Sequence, residues 1–395
     1  MSFAARLALA LGVLVGAAEP VLTAQEPPQQ PRGGTLAGVK RPRPAARRVD
    51  EFKLRSECVS GFWKSDRFVE AGVVRPLDWQ QGERLPVAYS IHGFGGDHEI
   101  AWVQGPHLQQ RMQTGAAPRM LYVYLNAQFE WGHHEFADSR CNGPWGKALT
   151  EEFIPALERE FGAVGEPGAR FLTGHSSGGW SSLWLQVTYP DFFGGCWATA
   201  PDPVDFRDFT GIDIYSYENA FTDPEGRPIM LIRRRNSDEF TTSIRQFVSA
   251  EQMRGPVGGQ FFSFNAVFGG KGADGMPRPL FDAKTGVIDP EVADSWRPYD
   301  ISLVLREQWK TLGPKLAGKI HVYMGLLDTF RLEGATILLK EELESLGSDA
   351  QILLVEGRDH GTLISPHPEL WPKGMHDRIH REMYESYQRS AAAAR

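Results

Sequence analysis

The sequence predicts an α/β fold: a doubly wound, mostly parallel sheet with helices on both faces and a large insertion after the fourth of its expected strands. Two observations carry this. Short apolar runs rich in Val, Ile, Tyr and Leu recur along the chain, each bounded by Gly, Pro or Asp. Strands of that kind are buried on both faces, as in parallel sheets. Stretches with helical periodicity lie between them, and strands alternating with helices imply right-handed crossovers.

The expected strands are LPVAYSIHG (85–93), RMLYVYLNA (119–127), ARFLTGH (169–175), GGCWATA (194–200), KIHVYMGLLD (319–328) and QILLVEG (351–357). TEEFIPALEREF (150–161) is a helix candidate with Thr150 as N-cap and acids in its first turn. Pro155 argues for a kink or a late start there. SSGGWSSLWLQVTY follows the third run, SLVLREQWKTLGPKL and EGATILLKEELESLG precede the last two, and the amphipathic ELWPKGMHDRIHREMYESYQ closes the chain. Residues 201–300 interrupt this rhythm with Asp, Phe, Gly and Pro and no long periodic segment. Such a length far exceeds an ordinary loop, so it reads as an insertion over the C-terminal edge of the sheet, as a lid or substrate-binding surface.

The ends differ from the body. Residues 1–24 combine Arg6, an apolar stretch from Leu7 and small residues. This is the layout of a secretory signal, and it places the protein outside the cytoplasm, secreted or periplasmic. Residues 25–50 are rich in Pro, Gly, Gln and Arg and read as a disordered linker, leaving 51–395 as the folded domain. No other stretch is long and apolar enough for stable membrane insertion. The chain's net charge is −7; residues 25–48 carry six basic side chains against Glu26, and Arg6 and Glu19 cancel, leaving −12 on residues 49–395. An acidic body argues against nucleic acid as a partner. Cys58, Cys141 and Cys196 fit neither a zinc motif nor a disulfide-dense scaffold. In an oxidising compartment Cys58 and Cys141 are the candidates for a pair, and Cys196, in an apolar run, reads as a buried thiol.

GHSSG (174–178) matches G-x-S-x-G with a strand before it and a helix-compatible stretch after it, the context that presents a nucleophile on a sharp turn. The exposed side chain is Ser176. A serine hydroxyl needs a base oriented by a third group, and in this kind of fold the order is serine, acid, histidine. Asp328 and His360 follow the last two strands in that order, at the strand ends where open α/β sheets gather their sites. His367, His376 and His380 compete with His360 but fall on the closing amphipathic segment, and read as surface residues. Asp202 and Asp205, after the strand that follows the nucleophile, compete with Asp328. Asp359 reads as structural. The oxyanion donors expected are the N–H groups of Ser177, at the helix start, and of Phe94 in IHGFGG (91–96). His92 suits loop ordering better than base catalysis. His133 and His134 lack the spacing of a metal motif and read as a plain loop. Trp131, Trp145, Phe261, Phe262 and Phe264 are candidates for a pocket wall or for core packing.

The set YSIHGFGG, EEFIPALE, GHSSGG, YPDFFGG, GLLD and GRDHG resembles the esterase D-type "putative esterase" branch of the α/β-hydrolases, over roughly residues 60–200 and 315–365. That branch includes feruloyl and carbohydrate esterases, enterochelin esterases, S-formylglutathione hydrolases and mycolyltransferases. The resemblance implies Ser176 as nucleophile, Asp328 as acid, His360 as base, and Phe94 with Ser177 as oxyanion donors, with no cofactor and a small-molecule or carbohydrate ester as substrate. Residues 201–300 depart from the family's usual connection. The expectation is an exported serine carboxylesterase. Acyl transfer or peptide cleavage on the same triad is the first alternative, and a non-catalytic binding module on a hydrolase scaffold the second.

Overall fold

A computed structural model describes residues 49–393. The signal expected at 1–24 lies outside the described residues, as does all but the end of the linker expected at 25–50. Eight strands form one sheet: β1 (Val49–Arg55), β2 (Phe68–Val74), β3 (Val87–Ile91), β4 (Leu121–Leu125), β5 (Arg170–His175), β6 (Gly195–Thr199), β7 (Ile320–Gly325) and β8 (Gln351–Val355). Their order across the sheet is β1-β2-β4-β3-β5-β6-β7-β8. The β1–β2 and β2–β4 pairs are antiparallel, and all other pairs in this sheet are parallel. All the expected strands are present. β1 and β2 are additions, and β1 corrects the linker boundary: Val49 pairs with Val74, and Asp50 forms an ion pair with Arg75 at 2.7 Å.

The helices that frame the sheet are α1 (Ile100–Gln113), α2 (Ile154–Phe161), α3 (Ser177–Thr188), α4 (Ile301–Leu316), α5 (Glu333–Ser345) and α6 (Met375–Ala393). Adjacent side chains on a strand point to opposite faces, and the two cores divide accordingly. Tyr89, Val123, Leu172, Ala198 and Val322 pack with Leu183 of α3, Leu305 of α4 and Leu339 of α5. Their neighbours Ala88, Tyr122, Phe171, Trp197 and Tyr323 pack with Leu108 of α1 and with Ile379 and Met383 of α6. The expected helix at 150–161 does not start late but carries an irregularity at Pro155: helical turns at Trp145–Lys147 run through the π-helical Ala148–Phe153 into α2, and Pro155 lies where the π-helical stretch gives way to α2. Thr150 is not the cap: its hydroxyl donates to the Gly146 carbonyl at 2.9 Å.

Residues 201–300 hold more regular structure than their sequence suggests: a hairpin (Met230–Arg233 with Phe240–Ser243) and helices Ile244–Arg254, Gln260–Phe268 and Pro290–Trp296. A capping box between Ser243 and Gln246 starts the first of these helices. An aromatic core joins the insertion to α3: Phe268 lies 5.1 Å from the Trp180 ring and 5.2 Å from those of Phe206 and Trp296. Cys58, Cys141 and Cys196 are all unpaired, which sets aside the Cys58–Cys141 bridge. The Cys58 thiol faces the Ser56 hydroxyl and the Pro144 carbonyl instead. Among the described residues no helix is long and apolar enough to cross a membrane.

One carboxylate ties α6 to the sheet. Glu382 accepts from the Trp197 indole and the Tyr323 hydroxyl, both at 2.8 Å, and from Arg378 at 2.6 Å. Removing it strands two largely buried donors. Glu382→Ala should therefore lower unfolding free energy by about 1–3 kcal/mol, read as a shift in denaturant midpoint. An unchanged midpoint would show that α6 is held by its apolar face alone.

Candidate active site

The turn between β5 and α3 is shaped by close backbone approach. Ser176 sits at φ 61°, ψ −126°, a conformation rare for any residue with a side chain. The glycines around it have specific tasks. A Cβ on Gly174 would lie 2.1 Å from the Gly178 carbonyl oxygen, and one on Gly178 would lie 2.0 Å from the Ile91 carbonyl oxygen. No side chain fits at either position. The Ser176 N–H donates to the Thr199 carbonyl at 3.0 Å, anchoring the turn to β6, and its carbonyl accepts from Gly179 and Trp180 as α3 begins. Ser177 opens α3, where a helix leaves its first N–H groups without carbonyl partners. A Cβ on Gly93 would lie 3.0 Å from the His175 carbonyl oxygen and 3.1 Å from the Ser176 Cβ. The loop carrying Phe94 therefore meets the serine turn directly.

Two histidines order that loop. The Ala127 N–H donates to His92 Nε2 at 2.9 Å, so the His92 proton is on Nδ1, which donates to the Gly93 carbonyl at 2.8 Å. His133 Nδ1 accepts from the Glu135 N–H at 3.2 Å, and its Nε2 donates to the His92 carbonyl at 2.9 Å. Burial and the neighbouring His133 push the His92 pKa down to about 3, and burial takes His133 to about 4. Both are neutral scaffolding. His92 thus has the ordering role its sequence context suggested. His133 is more than plain loop, and adjacent His134 stacks on Trp145 at 4.0 Å. No cluster of metal-ligating side chains occurs among the described residues.

The loops after β7 and β8 are stitched together. Leu326 and Leu327 N–H groups donate to the Val355 and Arg358 carbonyls at 3.0 Å, and a Cβ on Gly325 would lie 2.3 Å from the Arg358 carbonyl oxygen. This brings Asp328, fully buried, to 2.7 Å from His360, whose Nδ1 donates to Oδ2. The other Asp328 oxygen accepts from the Phe330 and Leu332 N–H groups at 2.8 and 3.4 Å, and Arg233 of the insertion donates to the Asp328 carbonyl. The His360 ring lies 4.4 Å from that of His175, the residue before the serine, and 4.9 Å from Phe330. His360 Nε2 is buried with no hydrogen-bond partner among the described residues. Burial alone would lower the His360 pKa, but the charge and hydrogen bond of Asp328, with Asp202 and Asp359 beyond, raise it.

The rivals are placed as well. Asp359 accepts from Thr362 at 2.7 Å and from the Asn236 N–H at 3.0 Å, holding the histidine loop. Asp205 is paired with Arg207 at 2.6 Å. His367 packs on Trp371, and His380 packs on Tyr122 rather than lying on the surface. Asp202 does reach the serine: the Ser176 hydroxyl donates to Asp202 Oδ1 at 3.3 Å, and not to His360. That contact, and Glu135 behind it, sequence reasoning did not foresee.

A family model described as "Putative esterase" matches residues 66–336. Among solved structures, the chain is similar to a ferulic acid esterase at 13% identity, over 86% of this chain and 97% of that one, with a TM-score of 0.52. An S-formylglutathione hydrolase from Agrobacterium tumefaciens is 16% identical, over 85% and 94% of the two chains, with a TM-score of 0.48. A fluorophosphonate-binding serine hydrolase from Staphylococcus aureus is 11% identical, over 86% and 99%, also with a TM-score of 0.48. No curated protein matches the chain.

The clearest consequence of this geometry concerns the turn itself. Gly178→Ala should cost at least ~3 kcal/mol, the upper range for overpacking, because its new carbon meets rigid backbone. Thermal and denaturant unfolding measure it, and a variant as stable as the parent would contradict the close approach.

Proposed function

Because the chain belongs to the "Putative esterase" family of α/β-hydrolases and is a carboxylesterase-type hydrolase, we propose that it works through Ser176, His360 and Asp328. The observation that supports this reading best is the buried 2.7 Å hydrogen bond from His360 to Asp328, which leaves Nε2 as a free base beside the serine turn. The Ser176 hydroxyl gives its proton to Nε2 as Oγ bonds to the ester carbonyl carbon. Asp328 fixes the tautomer and stabilises the imidazolium. The amides of Phe94 and Ser177 receive the charge on the carbonyl oxygen. The tetrahedral intermediate collapses, the alkoxide leaves with the proton from His360, and water repeats the sequence to release the acid. No step calls for a cofactor. The substrates in view are small-molecule or carbohydrate esters. Residues 1–24 support export to the periplasm or beyond.

Three measurements follow from the assignment. With an aryl ester, Ser176→Ala should abolish turnover. Asp328→Asn should lower kcat by on the order of 10³–10⁴, because the wrong tautomer then faces the serine. If Asp205→Asn falls that far and Asp328→Asn does not, the acid is misassigned. The pH profile supplies the sign: His360 acts only when neutral and its pKa is raised in the folded protein, so kcat/KM should fall as pH drops through a value above the ordinary histidine range of ~6.5. An acid limb below that range would contradict the His360–Asp328 pairing.

A further inference from the structure

A second buried carboxyl system meets Ser176, apart from the Asp328–His360 pair. Asp202, only 4% exposed, accepts from three groups: the Ser177 hydroxyl at 2.6 Å, the Ser176 hydroxyl at 3.3 Å and the Gln260 amide at 3.4 Å. Three donors and no cation describe an ionised carboxylate held by hydrogen bonds. Behind it is Glu135, 1% exposed, with its Oε2 at 2.6 Å from the Ser181 hydroxyl oxygen. That same Ser181 oxygen is 2.7 Å from the Ser177 carbonyl. A hydroxyl has one proton, so it cannot donate along both contacts. A protonated Glu135 donating to Ser181 satisfies both. Two carboxylates this buried do not ionise together. Glu135 is therefore the neutral member and Asp202 the charged one. The arrangement is maintained at a cost: Glu135 and Phe136 are consecutive non-glycine residues in the left-handed region, at φ 56° and 48°.

We propose that Asp202 is a positioning residue for the nucleophile and its base. It holds the Ser176 hydroxyl on the α3 side in the resting enzyme and adds a second negative charge to the one that Asp328 places against His360. The inference rests on Ser176 and His360 being nucleophile and base. Ionised Asp202 accepts the hydrogen bond of the hydroxyl whose proton His360 must receive, so the hydroxyl turns from Oδ1 to Nε2 as the ester carbonyl enters. The same charge favours the imidazolium that forms next. The groups facing this pair are Glu135, His133 and Gln260 around Asp202, and Asp328, Asp359, His175 and Phe330 around His360. Of these, Glu135 and His133 are neutral by the contacts above. His175 is held neutral by burial and by His360. Asp202 then joins Asp328 and Asp359 as an anion that His360 senses. Burial lifts the Asp202 pKa to about 7 against the pull of Ser177. Its charge therefore changes in the same interval as that of His360.

The test is the rate of fluorophosphonate labelling from pH 5 to 9, with the labelled residue mapped by mass spectrometry, on wild type, Asp202→Asn and Asp328→Asn. Asp202→Asn should still label at Ser176, with its acid limb moved to lower pH by about half a unit or more, because an anion facing the imidazolium has gone. Ser177→Ala keeps the backbone amide but removes Asp202's shortest hydrogen bond, so it should move the limb the same way by less. It carries the test if Asp202→Asn does not fold. An Asp202→Asn profile that overlays the wild type would overturn the inference and leave the triad standing. Labelling that falls as far as in Asp328→Asn would overturn it differently, making Asp202 an orienting acid of the triad. A wild type that does not label at Ser176 would remove the proposed nucleophile itself, and this inference with it.

Discussion

The site depends on how closely three backbone segments approach at the end of the sheet. β3, β5 and the start of α3 come so near that Gly174 and Gly178 have no room for a Cβ, and Gly93 has little. That contact puts the serine in a conformation it would not adopt alone. It also joins the HGFGG loop to the turn and points the first amides of α3 at the same space. The left-handed backbone costs on the order of 1–3 kcal/mol, offset by packing of Trp180, Leu183 and Leu185 into the sheet's core. The serine's placement is thus a property of the fold, and no interaction of its side chain is needed to create it.

Two buried carboxyl systems meet that turn. In one, a fully buried carboxylate with two backbone N–H donors orients a histidine whose Nε2 has no hydrogen-bond partner among the described residues. In the other, Asp202 is held by hydroxyls and an amide. Burial supplies the strength of these interactions, since the same charges in water would be screened to little. It also explains why the histidines under the oxyanion loop are neutral: desolvation is the largest influence on both. Two histidines here are structural and one is the candidate base. The difference lies at Nδ1: that of His360 donates to the Asp328 carboxylate and that of His92 to the Gly93 carbonyl, whereas that of His133 accepts from the Glu135 N–H, with the Glu135 carboxyl 3.3 Å away.

Much of this was legible in the sequence, for identifiable reasons. The central strands are near-continuous apolar runs, so periodicity found every one. β1, VDEFKLR, lies at the sheet's edge, half exposed and polar in alternation, so its first two residues read as linker and the rest carries no strand signal. The order of Ser176, Asp328 and His360 could be read because each follows a strand and the sheet gathers those ends. Asp202 entered only as a rival acid, because its partners, Glu135 and Gln260, come from distant segments brought together by packing. The insertion's helices were obscured by length: Gln260–Phe268 is nine residues, apolar nearly all round, with no polar face to betray its period. His133 and His134 carried no motif, and only their contacts with His92 and Trp145 reveal a purpose.

The most direct test of the account is to catch the acyl-enzyme. The wild-type protein would be acid-quenched during turnover of a slowly released aryl ester, digested, and searched by mass spectrometry for the acyl group. The account predicts one acylated peptide, carrying the group on Ser176 within the sequence FLTGHSSGGW. Acylation at another residue, or turnover with no covalent intermediate on the serine under conditions where a burst of alcohol is released, would contradict it.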